Sequence, residues 1–137
     1  ADNNGGGLYI TGSSTVMLTS CTISNNKAPG GRGLKISESS IVALTSCSIS
    51  NNEAQIYGGG LFIFNSTVTL TSCTISNNKA GIGWGGGGLY ITGSRTVMKR
   101  LCLVVGSVYR VAAPSRSRRA RFRTTLTSCT ISNNEAI

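Results

Sequence analysis

Apolar and polar residues alternate along this chain in short bursts of three kinds. The first is Leu8-Tyr9-Ile10, matched by Leu34-Lys35-Ile36, Leu61-Phe62-Ile63 and Leu89-Tyr90-Ile91. The second is Val16-Met17-Leu18, matched by Val42-Ala43-Leu44 and Val68-Thr69-Leu70. The third is Cys21-Thr22-Ile23, matched by Cys47-Ser48-Ile49, Cys73-Thr74-Ile75 and Cys129-Thr130-Ile131. Alternation with period two and many β-branched residues predicts short strands with one buried face. The 3.6-residue spacing of a helix is absent.

The bursts recur because the chain is a repeat. Leu-Thr-Ser-Cys-Thr-Ile-Ser-Asn-Asn runs from Leu18 to Asn26 and returns at Leu70–Asn78 and Leu126–Asn134. The copy at Leu44–Asn52 differs only at Ser48. Cys21, Cys47 and Cys73 follow one another at equal intervals. Three short strands and three turns within one such interval suit one coil of a solenoid, each coil lying on the last at roughly 4.8 Å. Equivalent residues then stack into columns of Leu, Ile, Val and Cys. Each inward side chain contributes roughly 1.5–3 kcal/mol when fully buried, so the stack holds where one coil could not. The predicted fold is all-β: a single-stranded parallel β-helix of about four coils of three short strands, interrupted by an insertion.

Turn residues separate the strands. The pairs Asn25/Asn26, Asn51/Asn52, Asn77/Asn78 and Asn133/Asn134 read as a structural turn ladder, because Asn tolerates left-handed backbone angles and its amide can bond a neighbouring coil. Gly runs at 5–7, 58–60 and 85–88 precede the first strand of their coils. The loops before the first strands vary in length, which places them on the outer rim.

One segment breaks the pattern. Removing 99–125 joins Met98 to Leu126, and the result matches residues 5–21 with Arg95 as its one change. The domain reading is therefore one β-helix domain over 1–137, with coils built from 1–98 and 126–137, plus a basic insertion, loop or gene-model artefact at 99–125. The net charge of +9 concentrates there: Lys99, Arg100, Arg110, Arg116, Arg118, Arg119, Arg121 and Arg123 are 8 of the 13 basic residues. The repeat body is nearly neutral. Nucleic acid or an anionic membrane could be engaged only through 99–125. Tyr109 and Phe122 are its only aromatics, poor provision for base stacking.

Cys21, Cys47, Cys73 and Cys129 hold one place in each repeat and read as a structural column of small buried residues; Cys102 does not belong to it. With no His and no CxxC, a zinc site has little to build on. Hydrolysis of a glycosidic bond calls for two carboxylates beside it. Here Asp2, Glu38, Glu53 and Glu135 lie apart, and no Ser or Cys nucleophile has a base. No catalytic residue, metal or cofactor is expected.

Two outward surfaces are candidates for binding. Thr22/Ser24, Ser48/Ser50, Thr74/Ser76 and Thr130/Ser132 flank the third-strand Ile of each coil and would form two hydroxyl columns. Such a grid could face a glycan or ice, or simply face solvent. Tyr9, Phe62 and Tyr90 would form an aromatic column, a sugar platform or a stabilising stack, interrupted by Lys35. Asn65-Ser66-Thr67 fits the N-glycosylation pattern.

The unit Ile-Ser-Asn-Asn-Lys/Glu-Ala, a variable loop, then Gly-Gly-Gly-Leu-Tyr/Phe-Ile resembles the right-handed parallel β-helix, pectin-lyase-like family. Its repeats are similar to those of polymorphic outer-membrane adhesins, with Gly59-Gly60-Leu61 and Ile23-x-x-Asn26 at the matching elements. The resemblance covers all of the chain except 99–125. It implies a right-handed coil and a secreted or cell-surface location. It implies that lyases of the fold hold calcium with acidic residues and abstract a proton with a basic one. The expected function is a noncatalytic structural or adhesive segment with a hydroxyl-rich glycan- or ice-binding face. The alternative is a fragment of a polysaccharide lyase or hydrolase whose catalytic coils lie outside this chain. Expected partners are a glycan or other surface ligand, and further coils of a longer chain or of another copy at the solenoid ends, where no polar cap is evident.

Overall fold

The computed structural model describes residues 6–28, 33–56, 58–81, 86–93, 95–99, 103–105, 109–111 and 123–136, with the backbone alone at 95–99, 103–105 and 109–111. The first coil contains β1 (Leu8–Ile10), β2 (Thr15–Thr19), β3 (Thr22–Ser24) and β4 (Lys27–Ala28). The second contains β5 (Leu34–Ile36), β6 (Ile41–Thr45), β7 (Ser48–Ser50) and β8 (Glu53–Ala54). The third contains β9 (Leu61–Phe64), β10 (Thr67–Thr71), β11 (Thr74–Ser76) and β12 (Lys79–Ala80). The fourth opens with β13 (Leu89–Thr92). After it come β14 (Arg95–Lys99), β15 (Leu103–Val105) and β16 (Tyr109–Val111), then β17 (Arg123–Thr127), β18 (Thr130–Ser132) and β19 (Glu135–Ala136).

Each coil thus has a fourth, two-residue strand beyond the three predicted. It begins right after the Asn pair, on Lys-Ala or Glu-Ala, and Ala28, Ala54 and Ala80 are buried. Two residues are too few to show an alternation, so the sequence pattern left them in the loop.

Four parallel sheets result. Their strand orders are β1-β5-β9-β13-β16, β2-β6-β10-β17-β14, β3-β7-β11-β18-β15 and β4-β8-β12-β19. Coils are in residue-for-residue register: Leu8 lies beside Leu34, Leu34 beside Leu61, and Leu61 beside Leu89. The core is the interior of this tube. Leu34, Ile36, Leu44, Ile49, Leu61, Ile63, Leu70, Ile75, Leu89, Ile91, Leu126 and Ile131 are completely enclosed. Their counterparts Leu8, Val16, Leu18, Cys21 and Ile23 in the first coil are only half-buried, because no described coil lies beneath them.

The chain does not fill the layers in order. From β13 in the fourth layer it steps to β14, which lies outside β17 in the second sheet. It continues through β15, outside β18, and β16, outside β13. It then returns inward to β17, which pairs directly with β10 of the third coil. Met98 and Leu126, which become chain neighbours if 99–125 is removed, are cross-strand partners in adjacent layers. The described stretches of the interrupting segment are strands on the stack.

Candidate functional site

The most structured outward surface is on the first sheet. Alternation turns Leu8 and Ile10 inward and Tyr9 outward, and the register then stacks Tyr9, Lys35, Phe62 and Tyr90 across four coils. The Phe62 and Tyr90 rings are stacked, with centroids 5.3 Å apart and planes 12° from parallel. Lys35 stands between the aromatics of the column, and its Nζ sits 4.5 Å from the centre of the Tyr9 ring as a cation–π partner.

A polar edge runs beside the rings. Thr11 Oγ1 donates to Glu38 Oε2 at 2.7 Å, and Ser37 Oγ lies 3.3 Å from Thr11 Oγ1 and 3.4 Å from the Tyr9 hydroxyl. Hydrogen bonds from Ser37 and then Thr11, with a smaller effect from the Lys35 charge, hold the Tyr9 hydroxyl below its ordinary ionisation range. Burial and Glu38 oppose them weakly. Tyr9, Lys35, Ser37, Glu38, Phe62 and Phe64 line a groove of about 310 Å³. Of these the aromatic column supplied Tyr9 and Phe62, and Tyr90 continues the column beside it. Phe64, which is exposed, was missed, although its place two residues after Phe62 was a signal that could have found it. Glu38 had no such signal: it sits in a turn at φ 58°, where alternation says nothing about direction.

The predicted hydroxyl columns form on the third sheet. Thr22, Ser48, Thr74 and Thr130 are in register, as are Ser24, Ser50, Ser76 and Ser132. Thr22 and Thr74 are exposed and the other six half-buried.

The Asn pairs divide their labour. Asn25, Asn51, Asn77 and Asn133 take the left-handed backbone at φ 58°, 55°, 55° and 52°. Asn26, Asn52, Asn78 and Asn134 form the ladder. The backbone N–H of each donates to Oδ1 of the next, at 3.0, 3.0 and 2.9 Å, and each Nδ2 donates to the same oxygen at 2.9, 2.9 and 3.0 Å. Nδ2 of Asn52, Asn78 and Asn134 also reaches back to the carbonyls of Ile23, Ile49 and Ile75.

The cysteine column is likewise structural. Cys21, Cys47, Cys73 and Cys129 carry free thiols, and all but Cys21 are buried. Cys47, Cys73 and Cys129 each share their thiol between the carbonyls of Thr45, Thr71 or Thr127 in their own coil and Leu18, Leu44 or Leu70 in the coil before. Among the described residues, no three His, Cys, Asp or Glu side chains are grouped to hold a metal. Glu53 and Glu135, which share a rim position, instead bond Lys27 at 3.0 Å and Lys79 at 3.8 Å. The register makes this a column of alternating charge, Lys27, Glu53, Lys79, Glu135.

No curated protein and no solved structure matches the chain. The family described as right handed beta helix region matches it over residues 1–104. That span, about three quarters of the 137 residues, agrees with the stacked parallel sheets and in-register columns, and the chain belongs to the right-handed β-helix family.

Proposed function

We propose that this is a noncatalytic β-helix segment of a secreted or cell-surface protein, and that its first-sheet groove holds a glycan chain. The observation that carries this reading is the groove itself. Tyr9, Phe62 and Phe64 present aromatic surface, Lys35 lies in the column between Tyr9 and Phe62, and Ser37 and Glu38 present polar groups beside it. Sugars display apolar C–H faces and hydroxyl rims, so they are matched by rings flanked by donors and acceptors. The stacked coils repeat the outward position every strand spacing, which suits an extended polymer. Among the described residues, Glu38 is the one carboxylate lining the groove, and it is already bonded to Thr11, so the pair that glycoside hydrolysis needs is not assembled there. The secreted or surface location rests on the repeat's resemblance to outer-membrane adhesins.

Calorimetric titration with neutral and acidic oligosaccharides tests the proposal. Binding is expected for at least one class, weakened about tenfold or more by Phe62→Ala or Phe64→Ala, the loss of one good stacking contact. No released or unsaturated sugar should form. Absence of binding across a broad glycan panel, or binding indifferent to both substitutions, defeats the reading. Product formation would favour a fragment of a polysaccharide lyase or hydrolase.

A further inference from the structure

We propose that β14, β15 and β16 form a cap on a self-complementary end of the stack, and that without this cap the chain adds copies of itself head to tail.

The threading carries the first half. The three strands are the outermost members of their sheets, on the outer edges of β17, β18 and β13. They precede β17 in the chain yet lie outside it, so the fourth layer is closed by β17, β18 and β19, which carry repeat residues from Leu126 onward. The reason is chemical. Leu126, Cys129, Ile131 and Asn134 continue the columns below them, and Asn134 accepts from Asn78 at 2.9 and 3.0 Å and donates to Ile75 at 3.0 Å. Residues 103–111, Leu-Val-Val-Gly-Ser-Val-Tyr-Arg-Val, hold no Asn to take that place. An insertion close to one coil in length can therefore lie on top of the fourth layer without displacing it.

What the cap covers carries the second half. Parallel sheet edges left open are templates for another chain. The two ends of this repeat match. The Asn ladder runs one way, backbone N–H to the next Oδ1, so its donor end is Asn134 and its acceptor end is Asn26. The rim charges alternate, ending in Glu135 at one face and Lys27 at the other. A second copy placed with its first coil on the fourth would continue both series: Asn134 to Asn26, and Glu135 beside Lys27. Its half-buried Leu8, Val16, Leu18, Cys21 and Ile23 would be enclosed like their counterparts in inner coils. β14, β15 and β16 occupy that position on three of the four sheets.

The test compares the full chain with two variants by sedimentation velocity and electron microscopy. One variant lacks 99–125, joining Met98 to Leu126. The other replaces 100–122 with a Gly/Ser segment of equal length, which keeps β17 whole. The full chain should stay a small species. Both variants should grow into linear polymers many fold larger, with the strand repeat of about 4.8 Å along their axis. Folded variants that sediment like the full chain, or a full chain that polymerises as they do, overturn the proposal. Hydrogen exchange on the full chain decides independently of whether the variants fold. Backbone amides within 103–105 and 109–111 should be protected, and exchange at unfolded-chain rates would remove the cap.

Discussion

Gly60 lies directly against the Asn78 carboxamide. A Cβ built on Gly60 would meet Asn78 Nδ2 at 2.7 Å and the Gly88 carbonyl oxygen at 2.6 Å. The last Gly before each first strand is thus a packing partner of the ladder, since Gly33 approaches Asn52 in the same way. Gly60→Ala forces either the ladder or the neighbouring backbone to move. Overpacking of this kind costs about 1–3 kcal/mol. A lower urea midpoint is expected; an unchanged one would mean that the ladder yields freely.

The two Asn residues of one pair should respond differently. Asn51 supplies a left-handed turn that Gly adopts without strain, so Asn51→Gly should change stability by less than about 1 kcal/mol. Asn52 donates to Ile23 and Asn78 and accepts from Asn26. Asn52→Ala leaves the carbonyl of Ile23 and the N–H of Asn26, both half-buried, without these partners, at a cost of up to about 1–3 kcal/mol each. The contrast is measured by chemical denaturation of the two variants side by side.

Thr124 occupies the place that Val16, Val42 and Val68 fill in the coils before it. It is fully buried, and its Oγ1 finds no hydrogen-bond partner. Val has the same shape without the hydroxyl. Thr124→Val should therefore stabilise the protein by about 1–3 kcal/mol, the cost of a buried unsatisfied polar group. Loss of stability would show that the hydroxyl is satisfied in solution.

Thr124 also marks where sequence reading reached its limit. The columns were legible because Cys21, Cys47 and Cys73 recur at one interval, and a solenoid converts equal spacing into stacking. The aromatic column followed from the same arithmetic. The arithmetic also found that Met98 and Leu126 belong together, but it can express that only as adjacency along the chain. An insertion of nearly one coil leaves the phase of the repeat unchanged, so it hides whether the extra residues project or stack. Pairing across layers is a three-dimensional fact, and Met98 lies beside Leu126 one layer away. The role of Lys35 was missed for a related reason. A cation counts as polar in an alternation pattern, whereas its position over the Tyr9 ring depends on a side chain from the next coil.

The cysteine column ties stability to alkaline pH. The Cys73 thiol is pushed well above its ordinary range, first by its hydrogen bond with the Cys129 thiol and then by burial, against a smaller opposing effect from the Cys47 backbone. In the unfolded chain that thiol ionises near pH ~8.5. The native state holds the proton that the unfolded state releases, so this contribution is fully present below that pH. It is lost as pH rises, at about 1.4 kcal/mol per pH unit once the unfolded thiol is ionised. Urea unfolding under reducing conditions from pH 7.5 to 9.5 should show the decline, and Cys73→Ala should make it shallower. Site-resolved alkylation provides a second readout. Cys21, half-buried in the first coil, should react well before Cys47, Cys73 and Cys129, which must wait for the stack to open. Equal rates at all four would mean that the column is open to solvent, and the pH slope should then vanish as well.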